Sequence, residues 1–278
     1  MPLAAWPLPT RGPKLLPSVC LIGVPTDRNS SFLRGAAAAP RFIREQLFSP
    51  MGNPASESGL ELGRDVHIDD RGDLPLSEAA EDDALIEAAV AAALASGARP
   101  LCLGGDHSIT YPILRAIAAA HGPVDVLHFD AHPDLYDSLD GNPRSHASPF
   151  ARIMEHGLAR RLVQVGIRTL NTHQREQAAR FGVEIVPMDG FSVQRVPDLA
   201  GPVYVSIDLD GLDPAFAPGV SHHEPGGLSV RELLSVLGAQ TGRVIGADIV
   251  ELNPTRDIHA MTATVAAKLA KELIARLA

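Results

Sequence analysis

Short apolar segments alternate with longer amphipathic segments along most of this 278-residue chain. Residues 18–25 (SVCLIGVP), 124–130 (VDVLHFD) and 202–208 (PVYVSID) are apolar on both faces, as expected for strands inside a parallel sheet. Residues 81–97 and 261–277 instead have the apolar spacing of helices. Because buried strands that alternate with helices form parallel sheets covered on both sides, the sequence predicts an α/β fold with a mainly parallel central sheet.

The same criteria predict further strands and helices between these segments. The additional strands are at residues 99–105, 161–167, 183–188 and 243–252, and the additional helices at 39–48 and 109–122. No repeat or linker interrupts the pattern, so residues 18–278 are predicted to form a single three-layer αβα domain. Residues 1–17 are broken by prolines and lack a continuous apolar segment, so we expect a flexible N-terminal leader and no secretory signal.

The composition argues against several classes of function. The formal net charge is −9 and no basic run occurs, so neither nucleic acid nor a membrane surface is an expected partner. No apolar stretch approaches the roughly 18 residues of a membrane span. Cys20 and Cys102, the only cysteines, lie inside apolar runs, which favours buried thiols in a reducing compartment. We therefore expect a cytoplasmic location.

Polar side chains cluster where the predicted strands end. After residues 124–129 a carboxylate, an imidazole and a carboxylate alternate, and side chains two apart on an extended chain point the same way. Because ligands of open α/β sheets bind at the carboxyl ends of the strands, we expect these groups to converge on one site. The six groups, at three strand ends, are His107, Asp130, His132, Asp134, Asp208 and Asp210.

This set of side chains indicates metal binding. Any one of the six could be a solvated loop residue, but four carboxylates buried together would repel one another unless they were neutralised. Four carboxylates and two imidazoles without a thiolate favour Mn²⁺ over a structural zinc ion. Six ligands indicate two ions bridged by shared carboxylates, as in two-metal hydrolases. We therefore predict two Mn²⁺ per chain.

Three motifs at these strand ends resemble the arginase/agmatinase family of ureohydrolases. They are GGDHS (104–108), DAHPD (130–134) and SIDLDGLDPAFAPG (206–219), and the resemblance extends over nearly the whole chain. Other segments look closest to plant-type arginases, namely NSSFLRG (29–35), HASPFARIMEHG (146–157), APGVSHHEPGGLS (217–229) and ADIVELNPTRD (247–257). The resemblance implies an arginase/deacetylase-like fold and a homo-oligomer, either a trimer or a hexamer.

The resemblance also implies a role for each site residue. One Mn²⁺ would be bound by His107, Asp130, Asp134 and Asp208, and the other by Asp130, His132, Asp208 and Asp210. Two metal ions that share a water lower its pKa and present a hydroxide near neutral pH. Asp134 would hydrogen-bond this hydroxide and pass its proton to the leaving amine, His146 would relay protons to solvent, and Glu251 would hold the guanidinium of the substrate.

The expected substrate is L-arginine, hydrolysed to L-ornithine and urea, with agmatine, hydrolysed to putrescine and urea, or another guanidino compound as the alternative. Both molecules carry the guanidinium, so discrimination must come from the mouth of the site. The positions at which animal arginases hold the amino-acid end carry Tyr136 and Asn171 here. Besides His146 and Glu251, the expected substrate contacts are Asn142, Ser145 and Asn171. With Arg168 they would give a mouth without an acidic group.

Two other functions were weighed against this one. A deacetylase on a related fold would bind a single zinc ion, but it would not need both His107 and His132. A non-catalytic relative is disfavoured because the ligand set is complete. The remaining polar residues near the motifs have simpler interpretations: Asp106 and Ser108 as orienting groups, Asp213 as a turn residue, Glu224 as structural, His128 as non-catalytic, and His222 and His223 as loop residues with a smaller chance of substrate contact.

Overall fold

The computed structural model describes residues 16–278, so the leader predicted for residues 1–17 lies almost wholly outside the described residues. Eight strands form one sheet in which every neighbouring pair is parallel, in the order β2-β1-β3-β8-β7-β4-β5-β6. The strands are β1 (Ser18–Val24), β2 (His67–Asp73), β3 (Arg99–Gly104), β4 (Val124–Phe129), β5 (Ala159–Ile167), β6 (Glu184–Pro187), β7 (Val203–Asp208) and β8 (Val244–Val250).

Seven α-helices cover the two faces of this sheet. They are α1 (Ala39–Leu47), α2 (Asp82–Ala95), α3 (Thr110–His121), α4 (Pro149–Glu155), α5 (Thr172–Phe181), α6 (Val230–Ala239) and α7 (Met261–Leu277). Consecutive residues of β1 point into different cores: Leu21 belongs to the core that includes residues of α1, α6 and α7, whereas Ile22 belongs to the core that includes residues of α2, α3, α4 and α5. The predicted three-layer α/β architecture is therefore confirmed.

The edge strand β2 was not predicted from the sequence. Its residues, HIDDRGD, include a single apolar side chain and are largely exposed, so the strand lacks the pattern of a buried one. Parallel pairing with β1 and ion pairs between Arg44 of α1 and Asp70 and Asp73 hold it in place. A charged edge also discourages pairing with another chain. Among the described helices, none is long and apolar enough to cross a membrane.

The four central strands, β3, β8, β7 and β4, carry the polar motifs at their carboxyl ends. The strand register also aligns a row of polar residues across the sheet, just before the carboxyl ends of the strands. His128 of β4 is opposite both Gln164 of β5 and Ser206 of β7, and Ser206 is opposite Asp248 of β8. All four are fully buried. The parallel register therefore places a polar layer directly beneath the candidate site.

Candidate metal centre and active-site cavity

The six ligands predicted from the sequence lie together at the carboxyl edge of the sheet. In a first group, His107 Nδ1 is 3.1 Å from Oδ2 of both Asp134 and Asp208, and 3.3 Å from Asp130 Oδ2. All four side chains are buried. One donor atom from each of them lies within 4.8 Å of the others, so the group could hold a metal ion.

A second group shares one carboxylate with the first. His132 Nδ1 is 3.1 Å from Asp210 Oδ2 and 3.3 Å from Asp130 Oδ1, and these three residues could also hold an ion. Because Asp130 directs one oxygen to each group, it is arranged to bridge two ions. Asp208, the second expected bridge, belongs only to the first group in this arrangement, so its bridging role stays a prediction.

Backbone hydrogen bonds orient these carboxylates. Asp130 Oδ1 accepts from His132 N at 2.6 Å, and Asp208 Oδ1 accepts from Asp210 N at 2.8 Å. Each of these two aspartates therefore uses Oδ1 to fix the turn after its strand and directs Oδ2 towards His107. Asp134 and Glu251 have left-handed backbone conformations, with φ of 50° and 66°, which non-glycine residues seldom adopt. The backbone is therefore locally strained at the two residues whose carboxylates point into the site.

The glycine pair of the GGDHS motif allows the chain to pass close to a neighbouring loop. A Cβ atom on Gly105 would lie 1.7 Å from the carbonyl oxygen of Thr26, so only glycine fits there. Asp106 then begins a short 3₁₀ turn and accepts hydrogen bonds from both N and Oγ of Ser108. Its other oxygen accepts from Asn29 N. These contacts cap the turn that carries His107, whereas the described hydrogen bond of the His107 ring is to Ser206; the orienting role expected for Asp106 and Ser108 stays a prediction.

The layer beneath the site fixes the proton position on His107. Asp248 is fully buried and accepts hydrogen bonds from Ser206 Oγ at 2.6 Å and from Tyr204 and Thr110. Since Ser206 donates its proton to Asp248, its oxygen must accept one from His107 Nε2, 2.9 Å away. In the neutral imidazole, the form that binds a metal ion, His107 Nδ1 then carries the lone pair; this nitrogen is buried and has no hydrogen-bond partner.

His128 has a similar role that the sequence did not reveal. Its Nε2 lies 2.9 Å from Asp130 Oδ2, and its Nδ1 lies 3.1 Å from Gln164 Nε2. Because an amide nitrogen donates, His128 Nδ1 is the acceptor and Nε2–H donates to Asp130. The contact with Asp130 is between residues two apart on one extended strand, whereas the contact with Gln164 depends on the pairing of β4 with β5. His128 thus orients the shared carboxylate.

The ionisation of the cluster fits a site for cations. Burial, followed by the charge of Asp130, raises the pKa of Asp134 to about 7. Burial also raises the pKa of Asp208 well above its usual range, with further contributions from Asp210 and Asp130. The pKa of His107 is held well above its usual range by the three carboxylates around it, although burial opposes this. In the metal-free protein, bound protons therefore neutralise part of the negative charge of the carboxylates, which divalent cations would neutralise in the metal-bound protein.

These observations satisfy a test of fit for divalent cations. His107 Nδ1 faces three carboxylate oxygens, the tautomer of the neutral ring is fixed by Ser206, and Asp130 belongs to both groups. Asp213 of the same motif is not part of either group. Its oxygens accept from the backbone N–H groups of Ala215, Gly226 and Gly227, in keeping with the expected turn role.

A variant of Ser206 tests how the tautomer of His107 is controlled. We expect Ser206→Ala to weaken Mn²⁺ binding by about 10- to 100-fold, because His107 loses the group that fixes its proton. Tyr204→Phe is the matched control, since it also removes one hydrogen bond to Asp248 but does not contact His107. Titration of the metal-free proteins with Mn²⁺ measures both affinities. Equal losses in the two variants would mean that Ser206 acts only through general packing.

His146 and Glu251 form a buried ion pair beside the metal groups. His146 Nδ1 is 2.8 Å from Glu251 Oε1, and the same oxygen accepts from His107 N at 2.9 Å. Although burial opposes it, the charge of Glu251 raises the pKa of His146 to about 9. On its other side, His146 Nε2 is 2.9 Å from Ser31 Oγ. Ser31, on the loop after β1, was not predicted from the sequence to reach the site.

A cavity of about 210 Å³ opens onto these groups. It is smaller than the roughly 300–1,000 Å³ typical of sites for drug-sized ligands, which suits a small substrate. Metal-group residues, the His146–Glu251 pair and residues from four loops form its wall. They are Ser31, His132, Asp134, Tyr136, Leu139, His146, Ala147, Thr169, Gln174, Asp208, Asp210, His222, Glu224 and Glu251.

Three substrate contacts predicted from the sequence do not line this cavity. Asn142 Nδ2 donates to Asn29 Oδ1 and lines a different depression. Ser145 is buried, and its Oγ accepts from Ala147 N. Asn171 caps α5 and donates to the hydroxyl of Tyr136, so it approaches the cavity only through that side chain.

The mouth of the cavity differs from the one expected. Arg168 donates every described hydrogen bond to main-chain carbonyls, including those of Glu224 and Asp210, so its guanidinium is engaged in holding the loops. Glu224, expected to be structural, lines the cavity, and its carboxylate forms no hydrogen bond or ion pair among the described residues. The expectation of a mouth without an acidic group is therefore not met.

Comparison with known proteins agrees with this site. Residues 17–275 match the Arginase family model. The chain is 51% identical to "Arginase 1, mitochondrial" of Arabidopsis thaliana, over 94% of this chain and 81% of that protein. It is 37% identical to "Guanidino acid hydrolase, mitochondrial" of Homo sapiens, over 92% of this chain and 77% of that protein. A solved structure of arginase from Medicago truncatula superposes with a TM-score of 0.89 at 44% identity, covering 94% and 87% of the two chains.

The comparisons correct one expectation and establish another. The cytoplasmic location expected from the sequence is wrong by this comparison, because the similar plant arginases are named as mitochondrial or as chloroplastic and mitochondrial. The resemblance to plant-type arginases is confirmed, since several plant arginases share about half of their residues with this chain. With the family match over almost the whole length and the metal-group residues in place, the chain belongs to the Arginase family and is a ureohydrolase.

Proposed function

We propose that this enzyme hydrolyses L-arginine to L-ornithine and urea with two Mn²⁺ per chain. The main observation behind the proposal is that one small cavity is lined by residues of both metal groups, by the buried carboxylate of Glu251 and by the buried imidazole of His146. The identity of about 50% to plant arginases supports arginine as the substrate. Hydrolysis of agmatine or of a guanidino acid is the alternative, since one relative is named a guanidino acid hydrolase.

The ligands of the two ions would be the six buried or half-buried side chains of the metal groups, namely His107, Asp130, His132, Asp134, Asp208 and Asp210. An oxygen-rich set with two imidazoles and no thiolate suits Mn²⁺. Ions held by these residues would lower the pKa of a bound water and so supply a nucleophile near neutral pH. Substrate binding and proton transfer are assigned below to side chains of the protein.

Glu251 is suited to binding the guanidinium. Its Oε1 accepts from both His107 N and His146 Nδ1, whereas Oε2 has no described hydrogen-bond donor. The side chain lines the cavity and is only 4% exposed, so its charge is poorly screened by water. A guanidinium presents N–H donors in a fixed fork, and a carboxylate oxygen held in place is its natural partner.

His146 is suited to moving a proton between the reacting groups and solvent. Since Glu251 Oε1 is an acceptor, His146 Nδ1 carries a proton, and Nε2 faces Ser31 Oγ at the cavity wall. Asp134 lines the same cavity, so one of its oxygens can accept a proton next to the reacting groups. We propose that Asp134 delivers a proton to the leaving amine and that His146 exchanges protons with solvent.

The acidic side chain of Glu224 bears on which guanidino compound is the substrate. Glu224 at the cavity favours a substrate with a positive charge at its far end; both arginine and agmatine carry an amino group there, but arginine also carries a carboxylate, which Glu224 disfavours. A guanidino acid without an amino group would meet only repulsion from Glu224. The plant-arginase identity then supports arginine over agmatine.

A panel of guanidino compounds tests this choice. We expect kcat/KM for L-arginine to exceed that for 4-guanidinobutyrate by at least about tenfold, a difference of roughly 1.4 kcal/mol in transition-state binding. Urea release with saturating Mn²⁺ is the measurement. If agmatine or a guanidino acid is turned over more than about tenfold better than arginine, the arginine assignment fails, whereas the ureohydrolase assignment survives.

The family resemblance also supports assembly into a trimer or hexamer. The described residues include large apolar side chains that are substantially exposed, such as Phe216, Ile258 and Met261. Exposed apolar side chains of this size are common at subunit interfaces. Light scattering on the purified chain at micromolar concentration measures the mass, and a monomer would contradict this proposal.

A further inference from the structure

His222 lies in the cavity wall between the buried ion pair and the outer loop. Its ring centroid is 5.3 Å from that of His146, 6.0 Å from that of His132 and 5.5 Å from that of Phe32. The side chain is half-buried, and the cavity passes along it. The ring and Glu251 therefore line the same cavity.

The nitrogens of His222 have no hydrogen-bond partner among the described residues, although three aromatic rings surround the side chain. The next residue provides a contrast. His223 is exposed and does not line the cavity, and its Nε2–H donates to the carbonyl oxygen of Pro218 at 2.7 Å. Of two adjacent histidines, one thus fixes the loop while the other presents free nitrogens to the cavity.

The loop that carries His222 is held firmly in place. Arg168 Nε donates to the carbonyl oxygen of Glu224 at 2.9 Å, and Asp213 Oδ2 accepts from Gly226 N at 2.7 Å. Ser221 Oγ donates to the carbonyl oxygen of Leu33 on the neighbouring loop at 2.8 Å. Because the backbone is fixed on both sides of His222, its ring is presented in a defined position. Such preorganisation is typical of a binding group.

A guanidinium has more N–H donors than Glu251 can accept. Its five donors need several acceptors, and Glu251 offers one free oxygen. A neutral imidazole offers one acceptor nitrogen and one flat apolar face. We propose that His222 is a substrate-binding residue whose ring nitrogen accepts a hydrogen bond from the guanidino group, while its face packs against the carbon chain of the substrate. This inference rests on the proposed function and extends it to a residue outside the predicted site.

Four variants test the inference with urea release from L-arginine. His222→Phe keeps a ring but removes the acceptor, and it should lower kcat/KM by roughly 10- to 100-fold, mainly through a higher KM. His222→Asn restores an acceptor and should recover part of this loss. His223→Ala is the matched control and should stay within about twofold of the wild type. His222→Ala replaces the phenylalanine variant if that protein does not fold.

Metal content and circular dichroism are measured for each variant, because His222 is not in either metal group and both ions should remain bound. A His222→Phe protein with wild-type kcat/KM overturns the inference. So does a loss in His223→Ala as large as that in His222→Phe, since the effect would then come from the loop. Absence of urea release by the wild-type enzyme from every guanidino compound would instead overturn the proposed function.

Discussion

The Asp208→Asn variant is expected to retain fewer than two Mn²⁺ per chain and to release urea at least about a thousandfold more slowly than the wild type. Asp208 Oδ2 lies 3.1 Å from His107 Nδ1 in the first metal group, and an amide oxygen brings no negative charge to that position. Metal ions contribute several kcal/mol to transition-state stabilisation, and about 1.4 kcal/mol is a factor of ten in rate. The loss should therefore be on the order of a thousandfold.

Elemental analysis after dialysis and thermal unfolding provide readouts that do not depend on turnover. At a Mn²⁺ concentration about 100 times the dissociation constant, each bound ion should stabilise the wild type by roughly 2.7 kcal/mol, and the variant should gain less. Asp213→Asn is the control, because Asp213 lies in the same motif but binds backbone N–H groups. Full activity of chelator-treated wild type would contradict a metal requirement, whereas recovery on adding Mn²⁺ would support it.

The His146→Ala variant is expected to keep both ions and to have a kcat lower by about a hundredfold or more. General acid–base catalysis typically contributes about 10²- to 10⁴-fold, and His146 is the imidazole that links Glu251 to Ser31 at the cavity wall. His121→Ala is a suitable control because His121 is exposed at the end of α3. Unchanged turnover in His146→Ala near neutral pH would remove the proton-relay role.

The ion pair between His146 and Glu251 leads to a separate prediction for the metal-free protein. The pKa of His146 is raised to about 9 in the folded state, above the ordinary value of about 6.5. A raised folded-state pKa gives stability that is complete below about pH 6.5 and is lost as the pH rises through about 9. Glu251→Gln removes the charge that raises this pKa, so the wild type and the variant should differ more in free energy of unfolding at pH 7 than at pH 10. Denaturant titrations measure the difference, and an equal gap at both pH values would contradict the pairing.

Much of the fold could be predicted because burial leaves a clear pattern in the sequence. The strands of the sheet interior are apolar on both faces, and β3, β4, β7 and β8 begin and end within one or two residues of the predicted bounds. The exposed, acidic edge strand β2 has no such pattern. Its position depends on pairing with β1 and on Arg44 of α1, which are contacts between distant parts of the chain.

The metal groups could be predicted because their residues are close in sequence and follow strands that converge. The surrounding layer could not be predicted in this way. Ser206 contacts His107 only because β7 and β3 both flank β8 in the sheet, whereas the contact of His128 with Asp130, two residues further along β4, is local. The cavity wall is less predictable still, since Ser31 and Glu224 come from loops and Gln174 from α5, and their relative positions depend on the packing of the whole domain. For the same reason the predicted contacts Asn142, Ser145 and Asn171 do not line the cavity.

The left-handed backbone at Asp134 and Glu251 affects how variants of this enzyme should be selected. Each such conformation costs of order 1–3 kcal/mol in a non-glycine residue, in addition to the cost of burying the carboxylate. Asparagine at position 134 or glycine at position 251 would relieve both costs. A laboratory screen for heat resistance alone, carried out without Mn²⁺, should therefore enrich variants that have a higher melting temperature but no longer release urea. Variant libraries of this enzyme need to be sorted by urea release as well as by melting temperature, because at these two positions the changes that favour one property eliminate the other.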